Sequence, residues 1–362
     1  MFKKKNDNIK VIADETYPNG NKYHGEMING KKEGQGRMKY INGDKYEGSW
    51  KNNLFNGRGI YTFADGRKYI GDFENDKQNG NGTFYYKNGD IYEGLWKDGI
   101  VNKGKYTKAN QTVYDGIFEN DSPKGKGTII YTDGMKYEGR FDKGLRHGKG
   151  KLIHKNGIEY NGEFVEDKKN GRGTLINKKA KQTYEGEFMN DNYHGKGKYT
   201  FPDGSTYDGN FKNGLRNGYG VFKFKNGDYY KGDFKNDMKN GNGMMKYSNG
   251  DIYTGQFKND KRDGNGTLKY KNGCSFNGEW KNNKIEGNGT FTYTNGEKYI
   301  GSFVDNKKNG KGVYYYENGR RYDGEWKNDK MHGKGIYYGR NGHIKYEGKW
   351  ENGQPSGGCI LF

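Results

Sequence analysis

Aromatic and polar residues alternate with a period of two over short runs of this chain, and Gly, Asn and Asp separate the runs. Tyr46-Glu47-Gly48-Ser49-Trp50 is one such run, and Tyr69-Ile70-Gly71-Asp72-Phe73 repeats it 23 residues later. The first aromatic recurs at Tyr23, Tyr46, Tyr69, Tyr92, Tyr114, Tyr137, Tyr160, Tyr184, Tyr207, Tyr230, Tyr253, Phe276, Tyr299, Tyr322 and Tyr346, which makes fifteen copies. With that residue as position 0, Gly stands at +2 in every copy, and +4 is Trp or Phe except at Met27. A Gly-x-Gly pair follows at +11 and +13, an apolar residue at +15, and most copies close with Asn-Gly or Asp-Gly.

A period of two is that of a β-strand, whose successive side chains point to opposite faces. Positions 0, +2 and +4 therefore share one face of a first strand, and +11, +13, +15 and +17 share one face of a second. Gly at +2 and +13 leaves space on that face for neighbouring rings. The opposite face carries Glu, Asp, Lys, Asn and Thr. The closing Asn-Gly predicts a type I′ turn, which needs positive φ at both central residues. Each copy is thus expected to be a two-stranded unit paired to the next.

Tyr137-Glu138-Gly139-Arg140-Phe141, continuing through Gly144-Leu145-Arg146-His147-Gly148-Lys149-Gly150 to Asn156-Gly157, resembles the MORN repeat (membrane occupation and recognition nexus). The resemblance covers residues 23–362, with a half-repeat strand before it at Tyr17-Pro18-Asn19-Gly20. It implies an all-β fold, an elongated single-layer antiparallel β-solenoid of stacked hairpins, here a rod of about 140 Å if two strands 4.8 Å apart are added per repeat. The organisation expected is a basic N-terminal tail over 1–16 and one continuous array over 17–362. Three places depart from the pattern: Asn102 for the first Gly of a shortened fourth repeat, residues 177–183 for an Asn-Gly turn, and Cys359 for the final Gly.

Composition sharpens this picture. Of 362 residues 63 are Gly, only 30% are hydrophobic, and 16% are aromatic. The low hydrophobic share resembles disorder, but disordered chains are poor in aromatics. Rings therefore stand in for an aliphatic core. The net charge of +19 makes an anionic partner plausible. No apolar segment follows Met1-Phe2-Lys3-Lys4-Lys5, so an intracellular protein is expected.

No catalytic constellation and no cofactor motif is apparent, and the expectation is a protein that is not an enzyme. His147, His194 and His332 all fall at +10 and read as structural or surface residues. The Gly-x-Gly pairs open no helix and belong to no P-loop. Cys274 is a weak metal candidate, lacking any partner at ligand spacing. Cys359-Ile360-Leu361-Phe362 matches the pattern for prenylation of Cys359, although Ile360 and Leu361 equally continue the strand pattern. Trp50, Phe73, Trp96, Phe118, Phe141, Phe164, Phe188, Phe211, Phe234, Phe257, Trp280, Phe303, Trp326 and Trp350 form the expected aromatic face for protein partners.

Basic residues recur at +8 and +9: Lys31, Lys32, Lys77, Arg146, Lys168, Lys169, Arg216, Lys239, Lys261, Arg262, Lys307, Lys308 and Lys330. Stacking would set them along one edge, either as a solvated edge that prevents sheet aggregation or as a surface for anionic phospholipids such as phosphoinositides. Nucleic acid is not expected, because no binding motif for it is present. An open apolar C-terminal edge predicts a homodimer through Trp326, Trp350, Leu361 and Phe362. The nearest resemblance, to the repeat-only MORN proteins of apicomplexan parasites, implies a cytoplasmic scaffold peripheral to the inner membrane complex. There it would organise cytoskeletal proteins in daughter-cell budding and cytokinesis.

Overall fold

A computed structural model describes residues 10–356. Among these residues there are strands, turns and no helix. The chain divides into two compact units, residues 1–179 and 180–362. In each, every strand pairs antiparallel with its neighbour in the sequence, giving an open sheet of stacked hairpins.

Repeat 2 serves for the rest. Its strands Lys45–Lys51 and Leu54–Thr62 are in register at Tyr46↔Tyr61 and Gly48↔Gly59, and again at Trp50↔Phe55 after a shift. One residue of the first strand opposes three of the second there, so Asn56-Gly57-Arg58 forms a bulge. Gly57 takes φ +91° in it, and a Cβ there would lie 3.2 Å from the Ser49 Cβ. Position +11 therefore faces the polar side, not the aromatic side expected from its parity. The inward place passes to +9, here Phe55.

The type I′ geometry also sits elsewhere than expected. Both residues of the short turn at +6 and +7 have positive φ, Asn52 51° and Asn53 70°. At the closing Asn42-Gly43 only the glycine does, at 94°. The closing connection spans five residues, as at 63–67, where Phe63 N–H bonds the Arg67 carbonyl and Gly66 N–H bonds the Phe63 carbonyl. A longer loop needs one left-handed residue, whereas a two-residue loop needs two. Asn and Asp supply them at +6 and +7 because they tolerate this region better than other side chains.

The core is a ladder of rings over glycine. A Cβ on Gly59 would lie 2.5 Å from Tyr46 Oη, and one on Gly48 only 2.4 Å from the Gly59 Cα. The Tyr46 ring thus occupies the space above its own repeat's glycine pair. Its hydroxyl donates to the Ser49 carbonyl at 2.8 Å, and the same bond recurs from Tyr23, Tyr253 and Tyr322. Edge-to-face, Tyr46 meets Trp50 of its own repeat at 5.2 Å and Phe73 of the next at 5.3 Å. Each such pair contributes about 1 kcal/mol beyond burial. Indole N–H groups reach back to the neighbouring strand of the preceding repeat, from Trp280 to the Gly266 carbonyl and from Trp326 to that of Gly312.

The irregular places are absorbed locally. In repeat 4 the register moves from Gly94↔Gly104 to Trp96↔Val101, so the missing residue is taken from the bulge and the ring ladder continues. In residues 177–183 Lys181 carries the positive φ, 55°, as Gln111 does at 70° in repeat 4, in the place where most closing turns have glycine. At the other end, Lys10–Thr16 is a strand paired with Lys22–Ile28. The half-repeat strand therefore lies at 10–16, inside the stretch expected to be tail, and Tyr17–Gly20 belongs to the turn after it.

Gly243→Ala is expected to destabilise the second unit by about 2 kcal/mol or more, because the Tyr230 ring must move. Tyr230→Phe should cost only about 1 kcal/mol for the lost hydroxyl bond, since Phe276 fills the same place in repeat 12. Urea denaturation of both variants checks the order, and an equal loss would contradict the packing assigned to the glycine.

Candidate functional site

The inward shift at +9 separates the basic residues into two rows. Lys31, Lys77, Lys168, Lys261, Lys307 and Lys330, at +8, are exposed on the polar face. Lys32, Arg146, Lys169, Arg216, Lys239, Arg262 and Lys308, at +9, are half-buried on the aromatic face. The single basic edge expected from the sequence is therefore not formed, since consecutive residues of a strand point to opposite sides.

The inward row lies over rings. Arg262 Cζ is 4.2 Å from the Trp280 ring centroid, Lys32 Nζ 4.8 Å from that of Trp50, and Lys308 Nζ 5.0 Å from that of Trp326. Contacts of this kind contribute about 0.5–2 kcal/mol. The +7 residue of the following repeat completes most of these positions. Asp167 Oδ1 accepts both the backbone N–H and the Nε–H of Arg146 at 2.9 Å, and Asp237 does the same for Arg216. Burial lowers the pKa of Lys32 and Lys239.

Above these cations runs a second aromatic row that the sequence reading passed over. Tyr40, Phe63, Tyr86, Phe224, Tyr247, Tyr270, Tyr293 and Tyr316 stand at +17 and are half-buried. The signal was there in the recurrence of aromatics just before the closing turn. Carboxylates at +21 lie close by: Tyr61 donates to Asp44 at 2.8 Å and Tyr314 to Glu297 at 2.6 Å. In the second unit these rows border an open groove of about 550 Å³, lined by Tyr247, Tyr270, Tyr293, Arg262, Lys308 and Asp251.

The fourteen Trp and Phe residues at +4 are no more than 7% exposed. They are the core beneath the groove, while the +17 rings offer contact surface. Trp326 and Trp350 are packed the same way, against Tyr322 at 5.3 and 5.0 Å, which leaves little of them for a second chain. Leu361, Phe362 and Cys359 lie outside the described residues. Cys274 is half-buried, and among the described residues no group of three or more His, Cys, Asp or Glu surrounds it.

Glu297 is held below the ordinary carboxylate range chiefly by the Tyr314 hydroxyl, with burial opposing and the Glu317 N–H adding. The folded protein therefore binds its proton less readily than the unfolded chain. This contribution to stability is present above the unfolded value of about 4.3 and is lost as pH falls through the folded one. Between pH 5 and 2 the urea midpoint of Glu297→Gln should fall less steeply than that of the unaltered protein; equal slopes would rule the interaction out as a source of acid sensitivity.

No curated protein sequence matches the chain. Similar solved structures include the TCP domain of SAS-4 (dCPAP) of Drosophila melanogaster in complex with a proline-rich motif of Ana2, at 14% identity and TM-score 0.27. That match covers 48% of this chain and 86% of that one. The TCP10 domain of Danio rerio CPAP in complex with a STIL peptide matches at 11% identity and TM-score 0.20, over 94% of this chain and 100% of that one. Scores this low do not establish a shared fold. The family model for the MORN repeat, in contrast, matches fifteen times in succession, from 23–45 and 46–66 through 322–344 and 346–357. With its repeat boundaries, ring ladder and stacked hairpins in agreement, the chain belongs to the MORN-repeat family.

Proposed function

We propose that this protein is a non-enzymatic scaffold whose inner groove receives extended segments of partner proteins. The observation that carries the reading is the groove of the second unit, where half-buried tyrosines at +17 alternate with cations at +9. Its period suits such a ligand. Successive repeats are two strands, or roughly 9.6 Å, apart, and three residues of a polyproline II segment span about 9.3 Å. A segment crossing the strands would present every third side chain to an equivalent aromatic site. Tyr and Arg are also the side chains that dominate binding energy at protein interfaces. The family resemblance adds the finer reading of a cytoplasmic protein, peripheral to a membrane-associated cytoskeleton, that organises cytoskeletal partners in budding and cytokinesis, and the apolar pattern of the C-terminal repeats adds that of a homodimer.

The second reading is a peripheral module for anionic phospholipids, and the exposed lysines at +8 favour it. Those at +9 are engaged with rings and, in several repeats, with the Asn or Asp of the next turn, so about half of the basic residues counted from the sequence remain for that role.

Proximity labelling in the native cell is expected to lose partners in Tyr270→Ser/Tyr293→Ser, and an unchanged set of labelled proteins would sink the groove reading. Co-sedimentation with anionic vesicles that fades as salt rises, and is lost in Lys261→Glu/Lys307→Glu, would favour the lipid reading instead. Sedimentation velocity at micromolar concentration is expected to give a dimer; a monomer would remove that part of the proposal.

A further inference from the structure

On the polar face, the bulge of each repeat leaves the backbone N–H of +12 turned toward the +3 side chain of the same repeat. In several repeats an oxygen of that side chain accepts it. Asp72 takes the N–H of Asn81 at 3.1 Å, Glu187 that of Lys196 at 3.2 Å, Asp233 that of Asn242 at 3.1 Å and Glu279 that of Asn288 at 3.1 Å. Gln256 gives its amide oxygen to the N–H of Asn265 in the same way, at 2.9 Å, so the bulge is a site for a side-chain oxygen, most often a carboxylate, that these repeats fill for themselves.

Repeats 5 and 6 do not fill it. Their +3 residues are Ile117 and Arg140, and no side-chain oxygen is bonded to the N–H of Lys126 or Lys149 among the described residues. The Arg140 stem instead lies across the bulge, its Cδ 3.5 Å from where a Gly148 Cβ would be. Lys126 stands directly opposite Arg140, and like charges so placed repel. Lys103, Lys126, Arg140 and Lys149 are all exposed, and none has an ion pair or a side-chain hydrogen bond among the described residues. They line an open recess of about 950 Å³ over Gly116, Gly127 and Gly139. The acids at its margin are Asp115, Glu138 and Glu163. Of these, Glu138 is engaged by Lys136 at 3.4 Å, and Glu163 leans over the bulge of its own repeat at Gly171.

We propose that this recess binds an acidic segment of a partner protein, whose carboxylates take the place that Asp72, Glu187, Asp233 and Glu279 take in their own repeats. The ligand class follows from that internal counterpart together with the local charge: the same backbone N–H, in the same bulge, donates to a carboxylate in four other repeats and to the Gln256 amide oxygen in a fifth, and here unpaired Lys126, Arg140 and Lys149 surround it, which favours an anionic oxygen. Lys126 and Lys149 lie two strands apart, roughly 10 Å, which three residues of an extended segment span. The three acids at the margin would repel a broad anionic surface but leave room for single side chains. The site lies on the polar face of the first unit and shares no residue with the groove of the second.

The test is a titration of the 15N-labelled full chain at low salt with a peptide of four Glu-Gly-Gly units, and with its Gln-Gly-Gly counterpart. The amides of Lys126 and Lys149 are expected to shift with the Glu peptide at a concentration at least tenfold lower than with the Gln peptide. Arg140→Glu, which supplies the missing carboxylate from within, should weaken binding at least tenfold. Lys258→Glu makes the same charge change at an exposed site on another repeat and should leave affinity within twofold. Unmoved amides, equal binding of the Gln peptide, or equal losses in the two variants would overturn the proposal. Displacement of the peptide by inorganic phosphate or by anionic phospholipid vesicles at far lower concentration would overturn the carboxylate assignment in favour of phosphate.

Discussion

Everything in this protein rests on a tyrosine lying flat over two glycines of its own repeat. The Gly–Gly pair across adjacent strands brings the backbone so close to the ring that a single methyl group on either residue would collide with it. Glycine in a strand costs roughly 0.5–1 kcal/mol in backbone entropy. Burial of a large side chain returns about 1.5–3 kcal/mol, and its edge-to-face contacts with two neighbours return about 1 kcal/mol each. The exchange is favourable, and it explains how a chain with so few aliphatic residues holds a sheet together. It also makes the core continuous within each unit, since tyrosines such as Tyr46 and Tyr230 touch the +4 ring of their own repeat and of the next.

The polar turns join the repeats by a second route. The +7 Asn or Asp adopts the left-handed conformation that its two-residue turn requires, and from there its side chain accepts the backbone N–H at +9 of the preceding repeat. A turn residue of one unit thus closes the ladder of another. Where +9 is Arg and +7 is Asp the same carboxylate also meets the guanidinium, which allows a cation to sit half-buried over an aromatic ring. Surface ion pairs contribute little, but these are held by ring, backbone and carboxylate together.

The repeat, its length, its strands and the aromatic face were legible along the chain because strand periodicity and the glycine positions are local properties. The Asn102 departure was legible as a shortened repeat, and the structure places the deletion in the bulge. Two expectations went astray. The register shift between +2 and +4 inserts residues on one strand only, so parity counted through +11 assigns Gly57 to the wrong face; Arg146 and Arg262, at +9 with the same odd parity, do face inward, which counting +8 and +9 together as one edge overlooked. A bulge depends on pairing with a partner strand, and a single run of residues carries no mark of it.

Sequence alone determined that fifteen similar two-stranded units would stack with rings on one face, because a side-chain period of two and a strict glycine spacing admit little else. Only the tertiary structure decided which residues remain for function. The pairing of strands turned alternate lysines and arginines to opposite faces, buried the Trp and Phe residues first taken for a contact surface, and brought the +17 tyrosines to the groove in their place. It also left the bulges at Lys126 and Lys149, among others, without the carboxylate that several of their counterparts supply, and set them beside unpaired cations. Exposure and partnership belong to pairs of strands, and pairs exist only after the chain has folded.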